Sequence, residues 1–208
     1  MFEAMKEGAP QIHDEYPGNL NAEVHQEFGD TEAAFAECDL IVDHTFLNKR
    51  QDAAFLEPHS CVAIYDLDGR LTLHTSTQVP HYVMRTVAMV LKIPVGNVRV
   101  IKPYVGGGFG PKCEATPLEM SCSLLSRETG RPVKMTYSRE QVFLHSRARH
   151  QFFAEMSLGL KKDGTMVALK NKAILDGGAY TSFGIATVYY AGSLLGGPYK
   201  LKAMKYDG

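Results

Sequence analysis

The sequence has no excess of charge of either sign and no long apolar run. Among 208 residues, 22 Lys and Arg oppose 23 Asp and Glu, which gives a formal net charge of −1. Such a balance creates no field that would attract nucleic acid or an anionic membrane surface. No apolar run is long enough to cross a bilayer. We therefore expect neither nucleic acid nor a membrane as a partner.

Paired cysteines and a signal peptide are also missing. The cysteines form no C-x-x-C pair, so they indicate free thiols and neither a disulfide framework nor a zinc knuckle. Residues 1–7 lack the basic region and the apolar run of a secretory signal, so we expect a cytoplasmic setting. The composition, 45% apolar and 22% charged, is that of a globular protein.

What the sequence does have is a dense cluster of glycines. Gly106, Gly107, Gly108 and Gly110 surround Phe109. A strand-like alternation precedes the cluster and helical spacing follows from residue 114 to 127, so we expect a strand, a glycine loop and a helix. Glycine allows positive φ and close approach, and a helix start offers unpaired N–H groups. The junction therefore suits an electron-rich ligand, with a tight backbone crossing as the alternative.

Two familiar glycine-loop motifs do not match. The dinucleotide fingerprint G-x-G-x-x-G needs glycine at the position of Pro111. The phosphate loop G-x-x-x-x-G-K-[ST] fails because Pro111 precedes Lys112 and Cys113 stands where a hydroxyl would hold magnesium. The sequence thus favours neither a Rossmann nucleotide site nor a nucleotide triphosphatase.

The fold class that we predict is mixed α/β: a β-α-β unit carrying the glycine-rich loop, plus antiparallel hairpins. Residues 71–101 read as strand, helix and strand, and a right-handed crossover makes the two strands parallel. Both strands then end at one sheet edge, which brings Gln78 beside the glycine loop. Alternation predicts hairpins within 60–77 and 152–175.

Several local expectations follow from the same patterns. Asp30 is predicted to cap a short helix, Ser138 and Gln141 to form a capping box, and Gly130 to end the helix after the glycine loop. We expect His44 to be a packed core histidine, since it lies on the apolar phase of a strand. The tail at 177–199 is rich in glycine and tyrosine and is predicted to be loop or ligand-facing surface.

Six short motifs, taken in their order, carry a family resemblance. They are Phe55-Leu56-Glu57-Pro58, Ser76-Thr77-Gln78, Val105 to Lys112, Gly130-Arg131-Pro132-Val133, Ser138-Arg139-Glu140 and Asp176-Gly177-Gly178-Ala179-Tyr180. The set resembles the molybdenum hydroxylases, the family of xanthine dehydrogenases and aldehyde oxidases. On this basis we expect residues 1–22 to be a leader or linker and 23–208 to be the first molybdopterin-binding domain, which we expect to be incomplete.

The resemblance implies a molybdenum–molybdopterin cofactor bound by Gln78, Gly106, Gly107, Gly108, Phe109 and Gly110. An amide at position 78 can both donate and accept hydrogen bonds, and loop N–H groups can stabilise developing negative charge. Two alternatives without a ligand stay open. Gln78 could cap the helix that begins near Pro80, and Phe109 could be ordinary packing.

Cys113 and Glu114 are the residues that the resemblance places on the substrate side. Purine-oxidising members carry a glutamate directly after the loop lysine, so Cys113 at that position counts against a purine. The family's catalytic glutamate and arginine lie downstream of this sequence, so we expect no catalytic residue and no direct metal ligand in it. Glu57 and His59 give only a weak signal of acid–base or metal chemistry.

The closing residues, from 182 to 208, most resemble the α subunit of 4-hydroxybenzoyl-CoA reductase. We therefore expect a component of an oxidoreductase acting on an aromatic or heteroaromatic substrate, with reductive dehydroxylation of a CoA thioester as the specific reaction. The alternatives are a hydroxylase subunit of the wider family, or a truncated, non-catalytic piece that keeps the fold. Iron–sulfur clusters and FAD are expected on partner subunits or domains. The remainder of the molybdenum subunit is expected as a further partner. We expect the pterin in the cytosine dinucleotide form.

Overall fold

The computed structural model describes residues 1–208, which form two compact units. One comprises Met1–Arg50 with His150–Gly208, and the other Gln51–Arg149. Two short 3-10 helices, Phe2–Met5 and Pro17–Asn19, precede the first strand. No helix is both long enough and apolar enough to span a membrane.

The rest of the chain contains nine strands, five α-helices and one further 3-10 helix, Val95–Asn97. In chain order the strands and α-helices are β1 (His25–Phe28), α1 (Thr31–Ala36), β2 (Leu40–Asn48), β3 (Ser60–Tyr65), β4 (Leu71–Thr75), α2 (Pro80–Leu91), β5 (Val98–Ile101), α3 (Pro117–Thr129), β6 (Val133–Thr136), α4 (Arg139–His145), β7 (Gln151–Leu160), β8 (Met166–Asp176), α5 (Gly184–Leu195) and β9 (Ala203–Asp207). The mixed α/β class is confirmed.

The unit Gln51–Arg149 holds a four-stranded sheet in the order β5-β4-β3-β6. β3 and β4 are antiparallel, whereas β4 and β5 are parallel and joined through α2. The predicted hairpin and β-α-β unit are therefore confirmed. Pro80 stands in the first turn of α2, where its missing N–H costs nothing. Buried side chains of this sheet pack against α2 and α3, and the cluster includes Leu71, Leu73, Val83, Val87, Leu118 and Cys122.

The predicted helix after the glycine loop is confirmed as α3, which begins at Pro117 and not at residue 114. Glu119 Oε2 accepts hydrogen bonds from Thr116 N at 2.9 Å and from Thr116 Oγ1 at 2.6 Å, which completes a capping box. Glu119 Oε1 accepts another from Thr75 at 2.9 Å. Because its own residues satisfy this helix start, it is not an anion site for the glycine loop.

The other unit holds a five-stranded sheet in the order β1-β9-β8-β7-β2. The long antiparallel pairing of β7 with β8 confirms the second predicted hairpin. β9 pairs parallel to β8 and antiparallel to β1. Buried apolar residues form two small clusters, one around Ala168 and one around Tyr206.

β2 is an edge strand whose nine residues are all exposed. His44 is among them, so its prediction as a packed core histidine is wrong. The strand does alternate in sequence, but both of its faces are exposed. His44 instead contacts Phe46 edge to face, with ring centroids 4.6 Å apart.

The tail contains a regular helix, α5, where we expected loop. Glycine usually weakens a helix, but here Gly192 lets the helix approach the next strand closely. A Cβ atom at this position would lie 2.7 Å from Cε1 of Tyr206. Tertiary packing against the buried Tyr206 thus overrides the low local propensity.

The predicted helix ends are confirmed. Asp30 accepts a hydrogen bond from Ala33 N at 3.0 Å at the start of α1. Ser138 and Gln141 form the capping box of α4. Gly130 ends α3 in the left-handed conformation, at φ 61°.

Candidate functional site

The segment after β4 and the glycine loop lie side by side at one end of the parallel strand pair. Gly110 N donates a hydrogen bond to Gln78 Oε1 at 3.0 Å. Gln78 N donates to the carbonyl of Lys112 at 2.9 Å. The predicted closeness of Gln78 to the loop is therefore confirmed. The alternative role of Gln78 as a helix cap is wrong, since Val79 is the N-cap of α2 and no side chain caps it.

The loop uses its glycines for specific purposes. A Cβ atom on Gly108 would lie only 2.6 Å from Gln78 Cδ, so the side chain of Gln78 occupies the space that any larger residue would need. Gly107 and Gly110 have φ values of +96° and +102°, which L side chains rarely adopt. The loop thus presents bare backbone next to one amide side chain.

Phe109 stands out from this loop. Its side chain is 78% exposed, so the alternative of ordinary core packing is wrong. Its backbone has φ +53°, a left-handed conformation that costs a non-glycine residue roughly 1–2 kcal/mol. An exposed aromatic ring on a strained backbone, next to bare glycine backbone, forms a surface suited to contact with a ligand.

Glu57 and Lys112 form an ion pair beneath the loop. Lys112 Nζ lies 2.8 Å from Glu57 Oε2 and 2.9 Å from the Glu57 carbonyl. The same carboxylate oxygen accepts hydrogen bonds from Gly106 N and Ser76 Oγ, both at 2.7 Å. Sequence reasoning treated Glu57 as a weak catalytic candidate and missed this role. The available signal in the sequence was one lysine at the end of the glycine-loop motif and one glutamate in the Phe55–Pro58 motif.

The hydrogen bonds of this pair favour the charged form of Glu57. Burial alone would raise the pKa of the Glu57 carboxyl, but the hydrogen bonds from Lys112, Ser76 and Gly106 outweigh burial and lower that pKa below its ordinary value. The Lys112 side chain is fully buried and also lies 4.6 Å from the centre of the Phe55 ring. The loop therefore rests on an internally neutralised charge pair.

His59 is a buried histidine behind the ion pair, and it is 1% exposed. Both ring nitrogens lack a hydrogen bond within the chain. Its ring lies 5.1 Å from that of Phe55 and 5.8 Å from that of Tyr137. Burial lowers the pKa of His59, and the charge of Lys112 lowers it further, against the opposing effect of Glu119. His59 is therefore neutral at pH 7 and is not set up for acid–base work at the surface.

Cys113 and Glu114 follow the loop and are partly buried. Cys113 N donates a hydrogen bond to the Gly110 carbonyl at 2.9 Å, which places the thiol-bearing residue next to the loop. Their contact with a substrate stays a prediction.

The donor set fits a bulky cofactor that brings its own metal ligands. No group of three or more His, Cys, Asp or Glu side chains is placed to hold a metal ion. What the site offers instead is glycine backbone, the Gln78 amide and the exposed Phe109 ring. These groups can approach a flat organic ligand closely and give it hydrogen bonds without adding net charge.

Comparison with known proteins gives a consistent result. The family model described as "Molybdopterin cofactor-binding domain" matches residues 12–208. The large molybdopterin subunit of nicotinate dehydrogenase from Eubacterium barkeri is 38% identical over 207 residues, which is 100% of this chain and 48% of that subunit. The chain thus spans about half the length of this relative.

Two solved structures share the fold. Quinoline 2-oxidoreductase from Pseudomonas putida 86 is 34% identical with a TM-score of 0.84, over 99% of this chain and 27% of that one. Aldehyde oxidoreductase from Desulfovibrio gigas is 27% identical with a TM-score of 0.89, over 99% of this chain and 22% of that one. In each case the chain corresponds to a minor part of a larger polypeptide.

Proposed function

The chain belongs to the molybdopterin cofactor-binding domain family of the molybdenum hydroxylases, and we propose that it forms one wall of the cofactor site of such an oxidoreductase. The observation that carries the proposal is the hydrogen bond from Gly110 N to Gln78 Oε1. It joins two separate motifs into a single surface of bare backbone and one amide. When bound, the molybdenum cofactor supplies the two-electron redox chemistry.

The residues of the site have distinct parts in this proposal. Gln78 offers its Nε2 group as a donor while its Oε1 is held by Gly110. Gly107 and Gly108 leave room for the Phe109 ring and the Gln78 side chain, which lie close to where their Cβ atoms would be. Gly110 has open space at that place and lets the cofactor approach the backbone closely. Phe109, exposed on the loop, shields one side of the cofactor from water.

For the substrate we propose an aromatic nitrogen heterocycle. The names of two similar proteins, nicotinate dehydrogenase and quinoline 2-oxidoreductase, refer to such compounds. Cys113 stands where purine-oxidising members of the family carry glutamate, which argues against a purine. The reductase-type reaction on a CoA thioester stays a prediction from the closing residues of the sequence.

We propose that the complete site also includes residues outside this chain. We propose that the glutamate base, the arginine, the iron–sulfur clusters and the flavin belong to other chains or other parts of the enzyme. The large-subunit designation of the Eubacterium barkeri relative supports a multi-subunit assembly. The cytosine dinucleotide form of the pterin and the cytoplasmic setting stay predictions.

The experiment is to co-express the chain with the products of its neighbouring genes and to measure molybdenum and pterin in the purified assembly. We expect about one molybdenum and one pterin per copy of the chain. Gln78→Ala should lower the turnover of a nitrogen heterocycle by about 100-fold to 1000-fold, the range seen when one stabilising donor is removed. Tyr82→Ala, which changes an exposed side chain on α2, is the control.

A second function is a non-catalytic interaction domain that keeps the fold but binds no cofactor. An assembly without molybdenum and pterin, whose activity is unchanged by Gln78→Ala and Phe109→Ala, would support that function and reject the proposed one.

A further inference from the structure

The base of the glycine loop is closed by a single carboxylate oxygen. Glu57 Oε2 accepts hydrogen bonds from Gly106 N at 2.7 Å and from Lys112 Nζ at 2.8 Å. Gly106 and Lys112 are the two ends of the loop, and residues 107–111 lie between them. Glu57 N also donates to the Gly106 carbonyl at 3.1 Å, so Glu57 holds both the N–H and the carbonyl of Gly106.

The enclosed segment needs such support. Gly107, Phe109 and Gly110 all have positive φ. Glycine has many other conformations available, and left-handed backbone at Phe109 is unfavourable. Such a segment keeps a single conformation only when contacts outside it fix its ends.

We infer that Glu57 and Lys112 are positioning residues: their ion pair fixes the shape of the 106–112 loop and thereby aligns Gln78 with the cofactor. The inference rests on the proposed function. Lys112 provides the connection to Gln78, because its carbonyl accepts hydrogen bonds from Gln78 N at 2.9 Å and from Thr77 Oγ1 at 3.3 Å. A shift of Lys112 would therefore move the amide as well as the loop.

Because Lys112 is buried, the shape of the 106–112 loop depends on the negative charge of Glu57. The Lys112 side chain has 0% exposure, whereas that of Glu57 has 32%. An ammonium group without its counter-ion is strongly unfavourable in such a place. If Glu57 loses its charge, Lys112 is left without its counter-ion and must move toward water, and this movement opens the base of the loop.

The test is Glu57→Gln in the complete co-expressed enzyme, which keeps the side-chain size and removes the charge. We expect a 10-fold to 100-fold loss in cofactor affinity or turnover, the range found for residues that orient the groups around a metal. We also expect a changed Mo(V) electron paramagnetic resonance signal in the molecules that remain loaded. Far-ultraviolet circular dichroism checks that the variant is folded.

Glu128→Gln is the matched control. Glu128 belongs to an ion pair with Arg127 at 3.2 Å in the same unit, but its side chain is 64% exposed. It should leave molybdenum content, pterin content and the resonance signal unchanged. The double variant Glu57→Gln with Lys112→Met removes the unpaired charge, so it should fold better than Glu57→Gln and still show the changed signal.

The outcomes separate the two proposals. Wild-type enzyme without molybdenum and pterin rejects the proposed function and this inference with it. The positioning role alone is overturned if the wild-type enzyme contains molybdenum and pterin and the Glu57→Gln variant has the same content and the same resonance signal. A lowered melting temperature with an unchanged signal also overturns it, since that indicates a purely structural role. If Glu57→Gln does not fold, Ser76→Ala, which removes one hydrogen bond to the same oxygen, gives the deciding signal.

Discussion

The two units differ in how they bury their apolar side chains. Gln51–Arg149 packs one continuous cluster between its sheet and helices, with Leu71 and Leu73 at 0% exposure. The other unit has two small clusters, and its edge strand β2 is exposed along its whole length. The candidate site belongs to the well-packed unit. Strained loop backbone keeps a precise shape only on a rigid support, which the larger core provides.

The largest predicted effect tests this difference directly. Leu73→Ala removes a fully buried side chain and should lower the free energy of unfolding by about 2–5 kcal/mol. Leu47→Ala on β2, where the side chain is 53% exposed, should change it by about 0.5 kcal/mol or less. Urea unfolding followed by circular dichroism measures both. Equal losses would show that the two units do not differ in the way described.

A smaller loss of stability is expected at Gly192, where the unit with the two small clusters has a close contact. Gly192→Ala should destabilise by about 1–3 kcal/mol, because the added methyl group collides with the ring of buried Tyr206. Gly197→Ala is the control, since its added Cβ would meet only Leu194 O at an ordinary 3.5 Å. Thermal unfolding of both variants gives the comparison. A neutral Gly192→Ala would mean that α5 shifts easily against β9.

The smallest effect concerns His59 in the well-packed unit. Its pKa is lowered by burial from an ordinary 6.5, so the unfolded chain takes up a proton at higher pH than the folded chain does. Acid below pH 6.5 therefore favours unfolding. Over one pH unit this costs up to about 1.4 kcal/mol. His59→Leu should remove that part of the stability loss between pH 6.5 and 5.5.

Urea midpoints at the two pH values measure the His59 effect. His74→Leu removes an exposed histidine from the same unit and should leave the pH dependence nearly unchanged. If both variants alter it equally, burial is not the cause.

Much of the fold was predictable because local patterns and tertiary structure agree. Periodicity and turn residues gave the β4–α2–β5 unit and both hairpins. The right-handed crossover then placed Gln78 beside the glycine loop, and Gly110 N bonds to it. Helix caps at Asp30 and Ser138 depend on neighbouring residues only, so the sequence was sufficient to find them.

The wrong or missed predictions concern residues whose structure depends on contacts with distant parts of the sequence. The tail formed α5 because Gly192 packs on Tyr206, a contact that glycine content alone cannot indicate. The prediction for His44 was wrong because alternation in β2 does not reveal that the strand lies at an edge and is exposed. The role of Glu57 was missed since its partners, Ser76, Gly106 and Lys112, come from three other segments.

The left-handed backbone of Phe109 has a consequence for laboratory evolution. Glycine at this position would relieve roughly 1–2 kcal/mol of conformational strain. Libraries sorted only for heat resistance should therefore accumulate Phe109→Gly. Libraries sorted for the growth of cells that depend on the enzyme should keep the aromatic ring, so the two selections would drive this codon in opposite directions.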